Sequence, residues 1–349
     1  MNNFERYLLA AEATLLDALA KLNTLSADLL TLLVVDAERR LLGTLTDGDI
    51  RRALIRGVKL EEAVTKAVHR DSFVLHTADY SLASLRTIRS KRLTLVPLID
   101  GQGRVVRVFN FRDRQSMLPV DGVLMAGGRG ERLRPLTDTV PKPLLPLGGK
   151  PIAEYNIDRM ANYGIENITL SVRYLGEQLK EHFGDGKEKG ITIRYVDEDR
   201  PLGTLGAVSR IHHFTHDAVL VMNSDLFTNI DLEEFYIHFR ESGADMAVAS
   251  IPYNVSVPYA VMQTSDGLIR SFEEKPTYTY YSNGGIYLIR RTVIESLLED
   301  ERLDATDLME RLITAGKRVS YFPLVGYWID IGRPEDYRKA QEFVKYIKQ

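Results

Sequence analysis

Cysteine is absent from all 349 residues. Disulfides, a thiol nucleophile and cysteine-ligated zinc are therefore excluded. The seven histidines form no HExxH-type pair, and His212 and His213 are neighbours whose side chains point apart on a helix or strand. We expect them to be solvated or structural. No apolar run approaches the ~18 residues a membrane-spanning helix needs. The opening Met1-Asn2-Asn3-Phe4-Glu5-Arg6 has an acid where a secretory leader has a basic segment, so the expected location is cytoplasmic. Neither charge sign dominates. The net charge of −3 gives no reason to expect a nucleic-acid partner.

What is present is ordinary in bulk: 44% hydrophobic and 27% charged residues, in a chain long enough for two or more domains. The most informative stretch runs from Val123 to Leu147. A short apolar strand, Val123 to Met125, leads through Ala126 into Gly127, Gly128 and Gly130. Such glycines let backbone N–H groups approach a polyphosphate closely. Arg132 can fork onto phosphate oxygens, and Lys142 can act on them as a point charge. Pro141 and Pro143 flank Lys142 and predict an extended setting for it. The pattern implies a nucleoside triphosphate site. It fits neither the P-loop spacing nor the dinucleotide Gly-x-Gly-x-x-Gly, because Gly128-Arg129-Gly130 is followed three residues later by Leu133.

Together with Pro141-Lys142-Pro143-Leu144, this stretch resembles the signature of the sugar-phosphate nucleotidyltransferases, and the resemblance extends over about residues 120–349. Glu131 departs from it, standing where the family usually has Thr. A carboxylate beside a triphosphate needs a partner such as Arg129, Arg132 or a metal.

The first 118 residues contain a repeat. Leu32 to Asp36 followed by Leu41 to Asp49 aligns with Val96 to Asp100 followed by Val105 to Asp113, at a constant offset of 64. Each copy reads as a hairpin followed by a helix starting at the acidic cluster, with a further helix ahead of it over Leu15–Leu22 and Leu82–Ile88. The repeat resembles a tandem cystathionine-β-synthase (CBS) pair, in which an Asp binds the ribose of an adenine nucleotide. Thr46 and Asp49 match that motif, and Asp113 is kept in a degenerate second copy with Arg107 and Asn110 at the Gly and Thr positions. Asp49 can accept ribose hydroxyls, with Arg51 and Arg52 near phosphates. Equally, Thr46 and Asp49 can simply form a helix capping box. We expect 1–118 to be a regulatory or oligomerisation module, and 119–349 to be catalytic.

After a short linker at 114–120, strands and helices alternate. Strands are expected at Val123–Met125, Ile168–Val172, Ile191–Val196, Val219–Met222, Met246–Ser250 and Gly285–Leu288. Helices are expected at Ile152–Tyr163, Leu175–Phe183, Leu232–Ser242 and Pro334–Ile347. This order predicts an α/β fold with a mostly parallel, Rossmann-like sheet behind a smaller α+β CBS pair, and ligands at the carboxyl ends of the strands.

The resemblance implies attack by a sugar 1-phosphate on a nucleoside triphosphate, with pyrophosphate leaving. That reaction needs no protein nucleophile, only positioning and charge neutralisation by cations and Mg²⁺. Asp225 closes the apolar run Val219–Met222 and suits a Mg²⁺ ligand, with Asp330 as the second. Helix capping is the competing role for each. By the same match, Glu274 and Lys275 take the sugar and its phosphate, Asn283 and Gly284 face the sugar, and Ala260 stands where the family has Gly. Gly203 and Thr204 belong to the base-reading loop, where Glu198 replaces the Gln common in enzymes using UTP or dTTP. A carboxylate accepts from the paired N1–H and N2–H₂ donors of guanine, whereas uracil and thymine present one donor between two carbonyls. The loop resembles that of guanylyltransferases, so GTP is the expected nucleotide, with UTP or dTTP as alternatives. The domain order resembles the guanylyltransferases that act on glucosamine 1-phosphate in bacterial legionaminic acid biosynthesis. A homo-oligomer is expected. A regulator that only binds nucleotides is the alternative from another class, and the presence of Arg132, Lys142, Asp225 and Asp330 together argues against it.

Overall fold

The computed structural model describes residues 4–25, 29–77 and 81–347. Met1–Asn3, part of the opening read above, lie outside the described residues. The chain forms two compact units, Met1–Leu118 with Asn162–Gly164, and Pro119–Ala161 with Ile165–Gln349.

In the first unit, β1 (Leu8–Ala10), α1 (Leu15–Thr24), β2 (Thr31–Val35), β3 (Leu41–Thr46) and α2 (Asp47–Ile55) form one motif. Strand β2 lies parallel to β1 and antiparallel to β3. The motif then recurs as β4 (Leu75–His76), α3 (Leu82–Lys91), β5 (Leu95–Ile99) and β6 (Val105–Asn110), with the same parallel and antiparallel pairings. Leu15, Leu32, Leu33, Leu45 and Ile50 form the centre of the core. The expected helix after β6 is absent, and Phe111–Asp113 is a turn. The reason is Asn110. Its side-chain oxygen accepts from Arg112 N–H at 2.9 Å and its amide donates to Asp113 at 2.7 Å, a local turn that competes with a helix start.

The second unit begins with β7 (Val120–Ala126) and a small hairpin, β8 (Pro146–Leu147) with β9 (Lys150–Pro151). There follow α4 (Ile152–Asn162), β10 (Asn167–Val172), α5 (Gly176–Phe183), β11 (Thr192–Asp197), the short α6 (Gly203–Gly206), β12 (Ala218–Asn223), β13 (Leu226–Thr228) and α7 (Leu232–Ser242). After these come β14 (Met246–Ser256), β15 (Val261–Ser265), β16 (Leu268–Glu273), β17 (Thr277–Arg290), α8 (Arg291–Glu295), α9 (Ala305–Thr314), β18 (Val319–Pro323), β19 (Trp328–Asp330) and α10 (Pro334–Ile347). Seven strands make the main sheet in the order β11-β10-β7-β12-β17-β14-β18. Only β17 runs against its neighbours. Val123 and Leu124 of β7, inside the sheet, are fully buried, as expected of a strand covered on both faces. The parallel strands β7, β10, β11 and β12 bring their carboxyl ends to one edge.

Strands β14 and β17 are longer than their apolar runs suggested. Their inner halves belong to the sheet. Their outer halves continue as a ribbon, from Ser250 opposite Asn283 to Ser256 opposite Thr277, and carry the β15–β16 hairpin between them. This arm is exposed along nearly its whole length.

Candidate active site

The site is built at the carboxyl ends of β7, β10 and β12. Ser224 N–H donates to Met125 C=O at 3.1 Å, tying the loop after β12 to the glycine loop after β7. Arg173, just beyond β10, donates from Nε to Gly127 C=O at 3.2 Å. Glu198 follows β11 and is held by its own N–H on Val172 C=O at 2.9 Å. It is 9% exposed. One carboxylate oxygen accepts from the Ser171 hydroxyl, the other weakly from Leu202 N–H at 3.4 Å. A Cβ on residue 127 would collide with the first of these oxygens, so Gly127 is what lets the carboxylate stand beside the glycine loop. Gly203 is required for a different reason. Its φ is +79°, and an added Cβ would lie 2.6 Å from Leu303 C=O.

Lys142 is buried and ion-paired to Asp225 Oδ2. The stretch around it is not extended, as its prolines suggested. Leu144 N–H donates to Pro141 C=O at 2.8 Å and Leu145 N–H to Lys142 C=O at 3.1 Å. These are two overlapping turns, and proline is favoured at the second turn position it occupies in the latter.

Asp225 and Asp330 come together through backbone pairing. β13 runs antiparallel to β19 with Leu226 opposite Asp330, and Ile331 N–H donates to Asp225 C=O at 3.0 Å. From beneath, the buried Asn156 of α4 donates its amide to Leu226 C=O at 2.9 Å. Asp330 remains exposed, yet protein packed around it removes part of its hydration. That desolvation, followed by repulsion from Asp225, raises its carboxyl above the ordinary value, while Lys142 and Arg132 pull it down. The other Asp225 oxygen, Oδ1, is buried without a hydrogen-bond partner. Two adjacent carboxylates with one unbonded oxygen can hold a hard divalent cation that takes its remaining ligands from phosphates and water. Among the described residues no cluster of three or more metal-ligating side chains occurs.

These groups enclose a cavity of about 960 Å³. Of the expected residues, Met125, Gly127, Gly128, Gly130, Arg132, Lys142, Glu198, Gly203, Thr204 and Asp225 line it. Ala126 is buried beside the loop, and Asp330 lies outside the lining although Gly332 contributes to it. Glu131 has its nearest cation in Arg129, at 3.9 Å. The sequence reading missed Arg173, Arg200, Asn223 and Asp304, all of which line the cavity. The position of Arg173 directly after a parallel strand was the available signal. Asp304 receives Thr204 N–H at 3.1 Å and so fixes the end of the loop between β11 and α6.

The residues expected on the sugar side are not gathered here. Ala260, Glu274 and Lys275 lie exposed on the arm, and none lines the cavity. Asn283 and Gly284 sit at the root of the arm. Asn283 accepts Gly285 N–H at 2.9 Å, and Gly284 C=O accepts from the Trp328 indole at 2.8 Å. Gly285 packs against Asn223 of the cavity wall.

In the first unit, Thr46 and Asp49 form the capping box of α2. Asp49 accepts from Thr46 N–H at 2.9 Å and from its hydroxyl at 2.6 Å, and its second oxygen accepts from Arg52 at 2.6 Å. Burial pushes this carboxyl up, but the Thr46 and Arg52 contacts outweigh it and hold it below the usual range. Arg51 pairs with Asp47 at 3.0 Å. A cleft of about 350 Å³ in this unit is lined by residues including Thr44, His69, Ser72, Lys91 and Thr94, and not by Thr46, Asp49 or Asp113.

The nucleotidyl transferase family profile matches residues 121–346, about two thirds of the chain. The chain belongs to the nucleotidyl transferase family. A CBS domain profile matches residues 7–56, so this nucleotidyl transferase carries a CBS domain at its N-terminal side. It is 30% identical over 230 residues to D-glycero-alpha-D-manno-heptose 1-phosphate guanylyltransferase of Aneurinibacillus thermoaerophilus, covering 65% of this chain and 99% of that protein. It is likewise 30% identical to mannose-1-phosphate guanylyltransferase of Mycobacterium tuberculosis, covering 65% and 66%. A UTP–glucose-1-phosphate uridylyltransferase of Synechocystis is also 30% identical, covering 62% and 61%. Among solved structures, HddC from Yersinia pseudotuberculosis complexed with GMP-PN superposes with a TM-score of 0.51 at 25% identity, over 64% of this chain and 99% of that one.

Proposed function

We propose that this nucleotidyl transferase joins GTP to a sugar 1-phosphate, releasing pyrophosphate. The observation that carries the reading is one cavity that places the glycine loop, Arg132, Lys142 and Asp225 around a common space beside a buried carboxylate, Glu198. In the proposed reaction an oxygen of the sugar 1-phosphate attacks the α-phosphorus. A new P–O bond forms as the bond to the β-phosphate oxygen breaks, and pyrophosphate leaves with that electron pair. Lys142 and Arg132 neutralise phosphate charge, and the glycine-loop amides orient the triphosphate. Asp225 and Asp330 are the residues that would hold Mg²⁺, which supplies further neutralisation of the phosphate oxygens. The unbonded Oδ1 of Asp225 supports that fit.

Guanine is favoured by Glu198. An ionised carboxylate has about four acceptor positions. Ser171 and Leu202 use two of them, leaving capacity for two donors of a base. Two of the relatives are guanylyltransferases and one is a uridylyltransferase, so the relatives alone do not choose. Glucosamine 1-phosphate is our narrower proposal for the acceptor, and it rests on the domain order. The first unit is proposed to regulate the second, with an adenine nucleotide as its ligand, in a cytoplasmic protein. No helix among the described residues is long and apolar enough to cross a membrane. The test is pyrophosphate release with Mg²⁺, each nucleoside triphosphate in turn and a panel of sugar 1-phosphates. The highest kcat/KM is expected with GTP. A preference for UTP or dTTP would refute the base assignment, and no pyrophosphate with any pair would refute the reaction.

A further inference from the structure

Glu198 alone does not single out guanine. A carboxylate only accepts, so it disfavours uracil and thymine, whose single N–H stands between two carbonyls. It does not disfavour adenine or cytosine, because each carries an exocyclic amino group that a carboxylate can accept from. What sets guanine apart from both is the carbonyl O6 beside its N1–H, an acceptor where adenine has the N6 amino donor. A cavity that selects GTP from the common nucleotides therefore needs a donor held next to Glu198.

The sheet supplies one. Ala126, Val172 and Asp197 stand in register across β7, β10 and β11. The next residue on each is Gly127, Arg173 and Glu198, so these three form one row across the strand ends. Neighbours in such a row are ~4.8 Å apart. The side on which Gly127 lacks a side chain is flanked by the other two. A Cβ there would meet Glu198 Oε1 and come within 3.5 Å of Arg173 Cβ. Asp225, with its partner Lys142, belongs to the opposite side of the glycine loop, because it follows β12, whose Asn223 lies opposite Met125. The loop thus separates the charges around the proposed Mg²⁺ position from Arg173 and Glu198.

Arg173 has donors to spare. A guanidinium carries five N–H groups. Its Nε donates to Gly127 C=O at 3.2 Å, and among the described residues no other hydrogen bond or ion pair engages it. Arg200, in the loop after Glu198, also lines the cavity, but its guanidinium is drawn to Asp300 C=O at 3.1 Å. Arg173 is therefore the cationic donor that the sheet places beside Glu198 and leaves unspent.

We propose that Arg173 is a second reader of the base, donating to O6 of guanine while Glu198 accepts from N1–H and N2–H₂. The proposal rests on the GTP reading above and adds a residue to it. The two side chains divide the discrimination. Glu198 selects against UTP and dTTP. Arg173 selects against ATP and CTP, whose amino groups would set donor against donor.

The test uses the full chain with Mg²⁺ and glucosamine 1-phosphate, and compares kcat/KM for GTP, ATP and 6-thio-GTP. In the last, sulfur, a weak acceptor, replaces O6 while N1–H and N2–H₂ are kept. Binding of the same nucleotides without sugar phosphate is followed by calorimetry. Wild type is expected to favour GTP over ATP by about a hundredfold or more, and over 6-thio-GTP by about tenfold. Arg173→Met, of similar length and without a donor, is expected to keep its circular dichroism and to shrink the GTP:ATP ratio by about tenfold and the GTP:6-thio-GTP ratio to near one. Arg173→Lys, which retains donors, should keep more of both ratios. A Met variant that weakens all three nucleotides equally places Arg173 on the shared phosphates or ribose and overturns the proposal, as do ratios that do not move. Failure of the underlying reading is distinguishable. Tighter binding of UTP than of GTP by wild type removes guanine itself, and Arg173 with it, whereas without pyrophosphate release the calorimetric ratios still decide the role of Arg173.

Discussion

Asp225 is the residue on which most of the site converges. It pairs with Lys142, shares a backbone hydrogen bond with Ile331 beside Asp330, and retains one buried oxygen without a partner. Asp225→Asn keeps the shape and removes the charge. We expect turnover to fall about a hundredfold or more, because charge stabilisation at a transferring phosphoryl group is worth ~3 kcal/mol. Unchanged turnover in the folded variant would remove Asp225 from the chemistry. Glu198→Gln addresses the base. The amide replaces one acceptor with a donor, which then faces the guanine edge, at a cost of roughly 2–4 kcal/mol. The kcat/KM ratio of GTP to UTP should collapse accordingly, and a ratio that holds would show that another group reads the base.

At the scale of elements, the strands that carry the site depend on buried polar anchors. Asp121, at the start of β7, is 3% exposed and accepts from Thr215 N–H at 2.7 Å and His216 N–H at 2.8 Å. Burial raises its carboxyl, but the His216 and Thr215 contacts prevail and leave it below the usual value. A carboxylate lowered in the folded state stabilises the protein above its unfolded value of ~3.9, and that contribution is lost as pH falls through the lower folded value. Asp121→Asn should therefore cost about 1–3 kcal/mol in urea unfolding at pH 7, and the gap from wild type should shrink below pH ~4. A gap independent of pH would assign the effect to packing instead.

The same scale shows what the sequence could and could not disclose. The sheet strands were legible because Val123–Met125 and Val219–Met222 are unbroken apolar runs followed within a few residues by a glycine or a carboxylate, the pattern of strands buried on both faces. The arm was not, because its residues do not follow a core-facing pattern. Its signals were local ones: Asp266-Gly267, both at positive φ between β15 and β16, and the Thr277-Tyr278-Thr279-Tyr280 alternation. Arg173 escaped because no spacing rule links it to the glycine loop, although the hydrogen bond to Gly127 does. The missing helix after β6 follows from Asn110, whose side chain turns the backbone locally where Thr46 caps.

For the whole molecule, the division into two units carries a functional expectation. The glycine loop, Lys142, Glu198, Asp225 and Asp330 all belong to the second unit, which has its own buried clusters around Val221 and Phe227. A chain beginning near Leu118 is expected to retain turnover. A soluble, folded truncation without turnover would show that the first unit is part of the catalytic apparatus. In the proposed reaction one oxygen nucleophile, the sugar 1-phosphate, displaces pyrophosphate from GTP in this cavity. Phosphorus-31 NMR of the full chain with Mg²⁺, GTP and glucosamine 1-phosphate follows every phosphorus of that displacement at once. The γ-phosphate signal of GTP and the phosphomonoester signal of the sugar are expected to decline together. They should be replaced by a pyrophosphate signal and, in equal amount, the paired resonances of a nucleotide diphosphate ester. Inorganic phosphate with an unchanged sugar phosphate, or a spectrum that does not change, would contradict it.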